Sequence, residues 1–163
     1  MTGAVAAMAV SPAMVETAQN PDFERHVRES FEKQQVMRTL GARLSRIAPG
    51  EIDIALPYRD TLTQQHGFLH AGVVTAVLDS ACGYAAFSLM PSGAGVLSVE
   101  FKVNLLAPAK GEVLIARARV LRAGRTISVC QADGIMRSGS HETPIATMLA
   151  TIMTVMDRPD VVR

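Results

Sequence analysis

The apolar stretch Ala71–Leu89, AGVVTAVLDSACGYAAFSL, is the feature that most constrains how this chain folds. It is too long for a typical strand and would carry apolar residues on nearly every face of a helix. A helix of that kind must be wrapped by other elements rather than covered on one side. Asp79 interrupts the stretch, and no basic residue lies within four positions of it. Because an unpaired buried carboxylate is costly, Asp79 is a candidate functional residue.

The segments around this helix have the alternating pattern of strands. They are Ala42–Ile47, Ile52–Leu56, Val96–Leu106, Glu112–Leu121, Thr126–Met136 and Ile145–Met156. Short turn-forming segments separate neighbouring strands, which favours antiparallel connections. We therefore predict an α+β fold in which a curved six-stranded antiparallel sheet wraps around the central helix. Such a sheet leaves its edge strands and one helix face unpaired, so we expect dimerisation through an edge.

A further helix is predicted before the first strand, over residues 20–40. Asn20 and Pro21 have the residue types of an N-cap and a first helical position, and Gly41 is a typical helix stop. The predicted organisation is a flexible tail over residues 1–19, one domain over residues 20–158 and a C-terminal tail over residues 159–163. The helix is expected to pack on the body of the domain as a lid or brace.

Composition limits the partners that the chain can have. The net charge is +1, aromatic residues make up 4% and Trp is absent, which disfavours binding to nucleic acid or to an anionic membrane. Cys82 and Cys130 are too few for a disulfide framework and lie in no metal-binding pattern, so both are expected to be small buried hydrophobes in a reducing cytosol. No signal peptide or membrane-spanning run is recognisable, and the expected location is cytoplasmic.

Small residues share one stripe of the central helix with Asp79. Gly72, Thr75 or Ala76, and Gly83 follow at spacings of three and four. Their size leaves room for a close neighbour on this face. Either a partner helix or a thin arm of a substrate fits that space.

The loop before the central helix, residues 64–70, ends at His70. The amides of Ala71 and Gly72 then lack intrahelical acceptors and lie at the positive end of the helix dipole, as an oxyanion site requires. Gln64 can hydrogen-bond a substrate carbonyl or a water, and Asp79 would be a base or a nucleophile. Asp79 lies about 13 Å along the axis from His70. Two helices packed antiparallel across a dyad would therefore form two shared sites.

These motifs resemble those of a known family. The series Gln64, Gly67, His70-Ala71-Gly72, followed by Asp79 and by the segment 99–109 (VEFKVNLLAPA), is similar to the hotdog-fold acyl-CoA thioesterases of the phenylacetate-degradation, or PaaI-like, type. The resemblance covers roughly residues 40–156. It implies the same helix-in-sheet fold, sites at a homodimer interface, often a tetramer made of two dimers, and no metal or bound cofactor.

The resemblance also implies roles for individual residues. The catalytic acid of the family falls on Asp79, the oxyanion-hole amide on Ala71 and the loop carboxamide on Gln64. A hydroxyl that assists the acid or its water falls on Ser98. The chain departs from the usual pattern twice, because Ala71 replaces the first Gly of a His-Gly-Gly motif and Gln64 replaces the commoner Asn.

Several alternatives remain open at this point. Asp79 could be a structural acid, Ser98 could make only a cross-strand hydrogen bond, and His70 could fix the loop without transferring a proton. Arg122 and Arg125, on either side of a turn, are candidates for binding a nucleotide phosphate. The predicted function is hydrolysis of an aryl- or fatty-acyl-CoA thioester. A non-catalytic acyl-CoA sensor and a hotdog hydratase or dehydratase are the alternatives.

Overall fold

The computed structural model describes residues 17–156 and residue 158. The predicted N-terminal tail lies outside this range except for its last three residues, and the C-terminal tail lies outside it entirely. In chain order the elements are α1 (Phe23–Lys33), α2 (Gln35–Leu40), β1 (Arg43–Ala48), β2 (Glu51–Pro57), α3 (Ala71–Phe87), β3 (Gly95–Leu105), β4 (Val113–Arg122), β5 (Ile127–Ser138) and β6 (His141–Val155).

All six strands form one antiparallel sheet in the order β1-β2-β4-β5-β6-β3. The strands β1 and β3 are therefore its two edges. The long helix α3 packs on the sheet and contacts five of its six strands, from β2 to β6. The predicted α+β architecture, a curved six-stranded sheet around a central helix, is confirmed.

The helix α3 buries one side and leaves the other open. Val74, Val77, Leu78 and Ala81 face the sheet with almost no accessible surface. On the opposite side the first turn is exposed and Asp79 is only half-buried. This agrees with the expectation that a single sheet leaves one helix face unpaired, since within residues 17–156 the stripe of small residues stays partly exposed.

The leading segment forms two helices rather than one over residues 20–40. The first begins at Phe23, because the Asn20 carboxamide oxygen accepts the Asp22 N–H at 3.0 Å in a turn before the helix. Gln34 then has extended backbone dihedrals, with ψ of 94°, and separates α1 from α2. The predicted stop at Gly41 is where α2 ends, in a left-handed conformation with φ of 76°.

The strand bounds lie close to those expected from the alternating pattern, with one larger difference. The last strand begins at His141, four residues before the predicted start. A two-residue turn with Gly139 at φ of 56° joins it to β5, and Ser138 pairs directly with His141. Pro144 lies within β6 beside a register shift opposite Ile135, which is where a strand tolerates proline.

Candidate active site

Asp79 and Ser98 meet on the open face of α3. The Ser98 hydroxyl donates a hydrogen bond of 2.7 Å to Oδ1 of Asp79. Ser98 pairs with the buried Ile152 of β6, so its side chain lies on the helix side of the sheet. This contact is the one that the family resemblance implied. This hydrogen bond fixes Oδ1 of Asp79. The other carboxylate oxygen, Oδ2, has no hydrogen-bond donor among the described residues.

His70 caps the N-terminus of α3. Its backbone is extended, with φ of −61° and ψ of 137°, and its Nδ1 accepts the Gly72 N–H at 2.9 Å. The His70 carbonyl oxygen accepts the Val73 N–H at 2.9 Å, which begins the helical hydrogen-bond pattern. An accepting Nδ1 belongs to the tautomer with hydrogen on Nε2. In this conformation His70 positions the helix start.

The cap changes the set of donors expected at the helix start. Because His70 occupies the Gly72 N–H, this amide is not available to a substrate oxygen, contrary to the expectation from sequence. The Ala71 N–H has no hydrogen-bond acceptor within the described part of the chain, and Ala71 is exposed. The helix start therefore offers one open backbone donor, at Ala71.

The loop before α3 is held by its own backbone and by a tyrosine. The Gln64 N–H donates to the Phe68 carbonyl at 2.9 Å, and the Gln64 carbonyl accepts the Gly67 N–H at 3.0 Å. The Gln64 Oε1 accepts the His66 N–H, which leaves Nε2 as the free donor of that carboxamide. The Tyr58 hydroxyl donates to the Gly67 carbonyl at 2.7 Å, a support that the sequence analysis missed.

The loop before α3 and the two predicted arginines lie at opposite ends of α3. The loop lies at the N-terminal end of α3, where the Leu69 N–H donates to the Ala109 carbonyl at 2.8 Å. Arg122 and Arg125 lie at the opposite end, beside the turn at Gly50 that bonds Ser88 at the C-terminus of α3. The structure of one chain therefore does not bring the arginines to the loop.

The stripe of small residues lies where the sequence analysis put it. Thr75 and Asp79 are half-buried on the open side of α3. A β-carbon built at Gly83 would meet nothing within 4 Å. The structure therefore contains an open space beside Asp79, and no atom of residues 17–156 fills it.

A groove on the side of α3 that faces α1 was not anticipated. It has a volume of about 580 Å³ and lies between α1, the C-terminal half of α3 and the start of β3. Ser30, Gln34 and Tyr84 are among its lining residues. The Tyr84 ring lies in the core and is only 6% exposed, and its hydroxyl lies 3.4 Å from the Ser30 hydroxyl at the groove.

The remaining composition-based expectations concern cysteines, metals and membranes. Cys82 and Cys130 are reduced and fully buried, and burial raises the pKa of the Cys82 thiol above its ordinary value. The described residues contain no group of histidine, cysteine and carboxylate side chains that could hold a metal ion. None of their helices has both the length and the apolar character needed to cross a membrane.

Comparison with known proteins gives a family for this fold and site. A model of the thioesterase superfamily matches residues 66–139. A crystal structure of a thioesterase family protein from Silicibacter pomeroyi has a TM-score of 0.81 and 54% identity, over 82% of this chain and 98% of that one. Human acyl-coenzyme A thioesterase 13 is 30% identical over 98 residues, which are 59% of this chain and 69% of that protein.

Two further matches are more distant or shorter. A Halobacterium salinarum protein, whose name assigns it provisionally to the esterases, is 34% identical over 56% of this chain, and the match spans 64% of that relative's length. The PaaI protein of E. coli has a TM-score of 0.75 over 85% of this chain at 16% identity, which is a likeness of fold alone. The chain belongs to the thioesterase superfamily, as the motifs indicated, and its class is that of the thioester hydrolases.

Proposed function

We propose that this protein hydrolyses acyl-CoA thioesters as a homodimer with two sites, each built from both chains. The observation that carries the proposal is the half-buried Asp79 carboxylate, hydrogen-bonded by Ser98 and facing an open space on α3. Human acyl-coenzyme A thioesterase 13, a relative by sequence, supports acyl-CoA as the substrate class.

The reaction requires a base or nucleophile and an oxyanion donor on opposite sides of the thioester carbonyl. Asp79 takes a proton from a water molecule, whose oxygen attacks the carbonyl carbon. The Ala71 N–H donates to the oxygen that becomes negative in the tetrahedral intermediate. The intermediate then collapses to the free acid, and the CoA thiolate leaves and takes up a proton. Direct attack by the carboxylate, through an anhydride that water later cleaves, uses the same residues.

The two groups cannot come from one chain. Ala71 and Asp79 are eight residues apart on a straight helix, so they lie about 12 Å apart along its axis. A second α3, packed antiparallel across a dyad on the stripe of small residues, brings its own helix start to Asp79. The stripe has the small side chains that such a close approach needs, and residues 17–156 leave it partly exposed.

The same dyad would bring Arg122 and Arg125 of one chain to the loop of its partner. These arginines lie at the C-terminal end of α3, and an antiparallel partner places its N-terminal end there. Both are exposed and free to bind a phosphate group. We therefore propose that they bind the CoA phosphates, while Gln64 of the loop donates its free Nε2–H to the substrate or to the attacking water.

Replacing the acid tests the chemistry. Asp79→Asn keeps the size of the side chain and can still accept from Ser98, but it cannot act as a base. We expect turnover to fall at least about a hundredfold with the fold preserved. The measurement is release of CoA thiol from a panel of acyl-CoA esters, with circular dichroism and gel filtration of both proteins.

The outcomes separate the alternatives. A folded Asp79→Asn dimer that turns over at the parent rate would exclude Asp79 as the base or nucleophile. A parent protein that binds acyl-CoA esters by calorimetry but releases no thiol would be a sensor rather than a hydrolase.

Mixed dimers test the shared sites. Asp79→Asn and Ala71→Pro each damage one half of a site, and proline at the first helical position is compatible with the helix while it removes the N–H. If sites are shared, a heterodimer of the two variants has one intact site and one doubly damaged site, so mixing should restore activity above that of either variant alone. Absence of recovery, with subunit exchange demonstrated by tagged copurification, would argue for a site within one chain.

A further inference from the structure

Tyr58 supports the loop before α3 from outside that loop. It directly follows β2, and its backbone N–H donates to the Glu112 carbonyl at 2.9 Å, so its backbone is fixed where β2 ends. Its half-buried side chain reaches the loop, where the hydroxyl donates to the Gly67 carbonyl at 2.7 Å. Within residues 17–156, no other side chain from outside the loop hydrogen-bonds residues 64–70.

The Tyr58 hydroxyl contacts the loop where the chain reverses direction. Gly67 has a φ of 78°, in the left-handed region that glycine adopts readily. The Gly67 N–H donates back to the Gln64 carbonyl at 3.0 Å, and the Gln64 N–H donates to the Phe68 carbonyl at 2.9 Å. Tyr58 therefore holds the peptide between Gly67 and Phe68, and both residues of that peptide are hydrogen-bonded to Gln64.

The side chain of Gln64 depends on the same turn. Its Oε1 accepts the N–H of His66, the residue before Gly67, and this hydrogen bond orients the carboxamide. If the turn shifted, the His66 N–H would move with it and the carboxamide would be free to rotate. The direction of the Gln64 Nε2 donor is therefore linked to the turn that Tyr58 holds.

The oxyanion donor at Ala71 is held by separate contacts. His70 precedes it, and the His70 N–H donates to the Leu62 carbonyl at 2.9 Å while its Nδ1 accepts the Gly72 N–H. Tyr58 takes part in neither hydrogen bond. Loss of the Tyr58 hydroxyl should therefore disturb the carboxamide of the loop and leave the Ala71 N–H in place.

We propose that Tyr58 is a positioning residue of the thioesterase site, whose hydroxyl fixes the turn at Gly67 so that the Gln64 Nε2–H meets the substrate or the attacking water. The inference rests on the proposed thioesterase function. Tyr58 does not touch the reacting atoms and acts through Gln64. A misplaced donor lowers the rate even when the substrate still binds, because the transition state needs a defined geometry.

The Tyr58 phenol is a constant donor in this position. A carbonyl oxygen only accepts, so the hydrogen bond to Gly67 requires the proton on the phenol. Partial burial and the nearby Asp60 carboxylate both raise the pKa of Tyr58, which keeps that proton in place at neutral pH. The hydroxyl therefore orients the loop rather than transferring a proton, and phenylalanine cannot replace it.

The first test is Tyr58→Phe, which keeps the ring and removes the hydroxyl. We expect kcat for octanoyl-CoA and phenylacetyl-CoA to fall about fivefold to tenfold, with KM little changed. Tyr84→Phe is the matched control, because it removes the hydroxyl of the other tyrosine, which contacts Ser30 on α1 and not the loop. It should turn over both esters at the parent rate.

A double-mutant cycle distinguishes positioning from general damage. In a Gln64→Ala background, Tyr58→Phe should lower kcat by less than about twofold, because the side chain through which it acts is already gone. In a Ser98→Ala background it should still lower kcat about fivefold to tenfold, since Ser98 contacts Asp79 and not the loop.

Gly67→Ala tests the same turn independently and replaces Tyr58→Phe if that variant does not fold. A β-carbon at Gly67 would meet no atom within 4 Å, so the substitution strains only the left-handed backbone of the turn. We expect kcat to fall, and to fall much less in the Gln64→Ala background.

The outcomes keep this inference separate from the proposed function. Equal falls in the Gln64→Ala and Ser98→Ala backgrounds would overturn it, because Tyr58 would then not act through Gln64. Parent kcat in a folded Tyr58→Phe or in Gln64→Ala would overturn it as well. In each case thiol release by the parent leaves the thioesterase function standing, whereas a parent that releases no thiol from any acyl-CoA ester would overturn the proposed function itself.

Discussion

The two edge strands of the sheet, β1 and β3, expose different kinds of side chains. On β1 the exposed residues are polar: Arg43, Ser45 and Arg46. On β3 large apolar residues are exposed beside Glu100 and Lys102, and the values reach 54% for Val99 and 55% for Leu105. In the sheet formed by residues 43–155 both strands have an unpaired hydrogen-bonding edge, so their exposed side chains are what distinguishes them.

This difference indicates which edge strand is expected to pack against a second chain. Charged side chains protect an edge strand from pairing with another chain, whereas an apolar edge invites such pairing. Phe101, 43% exposed, lies on the helix side of β3, since it pairs with the buried Ala150. The apolar edge thus adjoins the open face of α3 and Ser98. A single surface, made of β3 and the stripe on α3, would bring a second copy to the proposed site.

The largest expected effect comes from placing a charge on the apolar edge. Phe101→Asp would set a carboxylate near its symmetry mate and remove an aromatic contact. We expect the dissociation constant of the dimer to rise at least about thirtyfold, since buried aromatic anchors contribute 2 kcal/mol or more. Thioesterase activity should fall with the dimer, because each proposed site is built from two chains. Sedimentation velocity and thiol release over a range of protein concentrations measure both.

Ser45→Asp is the matched variant on β1. It introduces the same charge at an exposed position of the other edge, and both association and activity should stay at the parent level. If Ser45→Asp dissociates the protein and Phe101→Asp does not, the assignment of the two edges is wrong.

A smaller effect is expected from Ser98, the polar residue that β3 contributes to the site. Ser98→Ala removes the 2.7 Å hydrogen bond to Asp79 and frees the carboxylate to rotate. We expect kcat to fall about tenfold, as for a lost hydrogen bond to a charged group, with KM little changed. Ser98→Thr should restore most of the activity, because it returns the hydroxyl. A tenfold fall in both variants would indicate damage to the strand instead.

The sequence predicted the positions of the helices and strands better than it predicted which strands pair with each other. Alternation located all six strands, and the apolar run located α3, because both patterns are local. The position of β3 at an edge depends on its pairing with β6, which follows it by some 40 residues, and no local pattern indicates that partner. The break at Gln34 has no proline or glycine to mark it, and its side chain contacts Ser80 only in the folded chain.

The candidate site was likewise predicted where local patterns decide and missed where the folded chain decides. Spacing and motif placed Asp79 on the stripe and implied its contact with Ser98. The loss of the Gly72 donor was missed because the hydrogen bond depends on the rotamer of His70. No sequence pattern indicated the groove, because Tyr84 is a core residue and only the position of Ser30 on α1 shows that its hydroxyl reaches a groove.

The smallest expected effect concerns the polar edge. Arg46 pairs with Glu51 at 2.5 Å on the surface of β1 and β2, and the two side chains are 53% and 45% exposed. Exposed pairs of this kind contribute about 0–1 kcal/mol, so Arg46→Ala should lower the free energy of unfolding by no more than that. Urea denaturation measures the stability, and raising the salt concentration in the parent should have a similar small effect. Dimerisation and thiol release should not change, because Arg46 lies on β1, at the edge of the sheet opposite β3. If Arg46→Ala forms larger assemblies at high protein concentration, then β1 needs its charge to stay unpaired, which would sharpen the contrast with β3. Dissociation of the dimer in Arg46→Ala would instead mean that β1 is part of the interface.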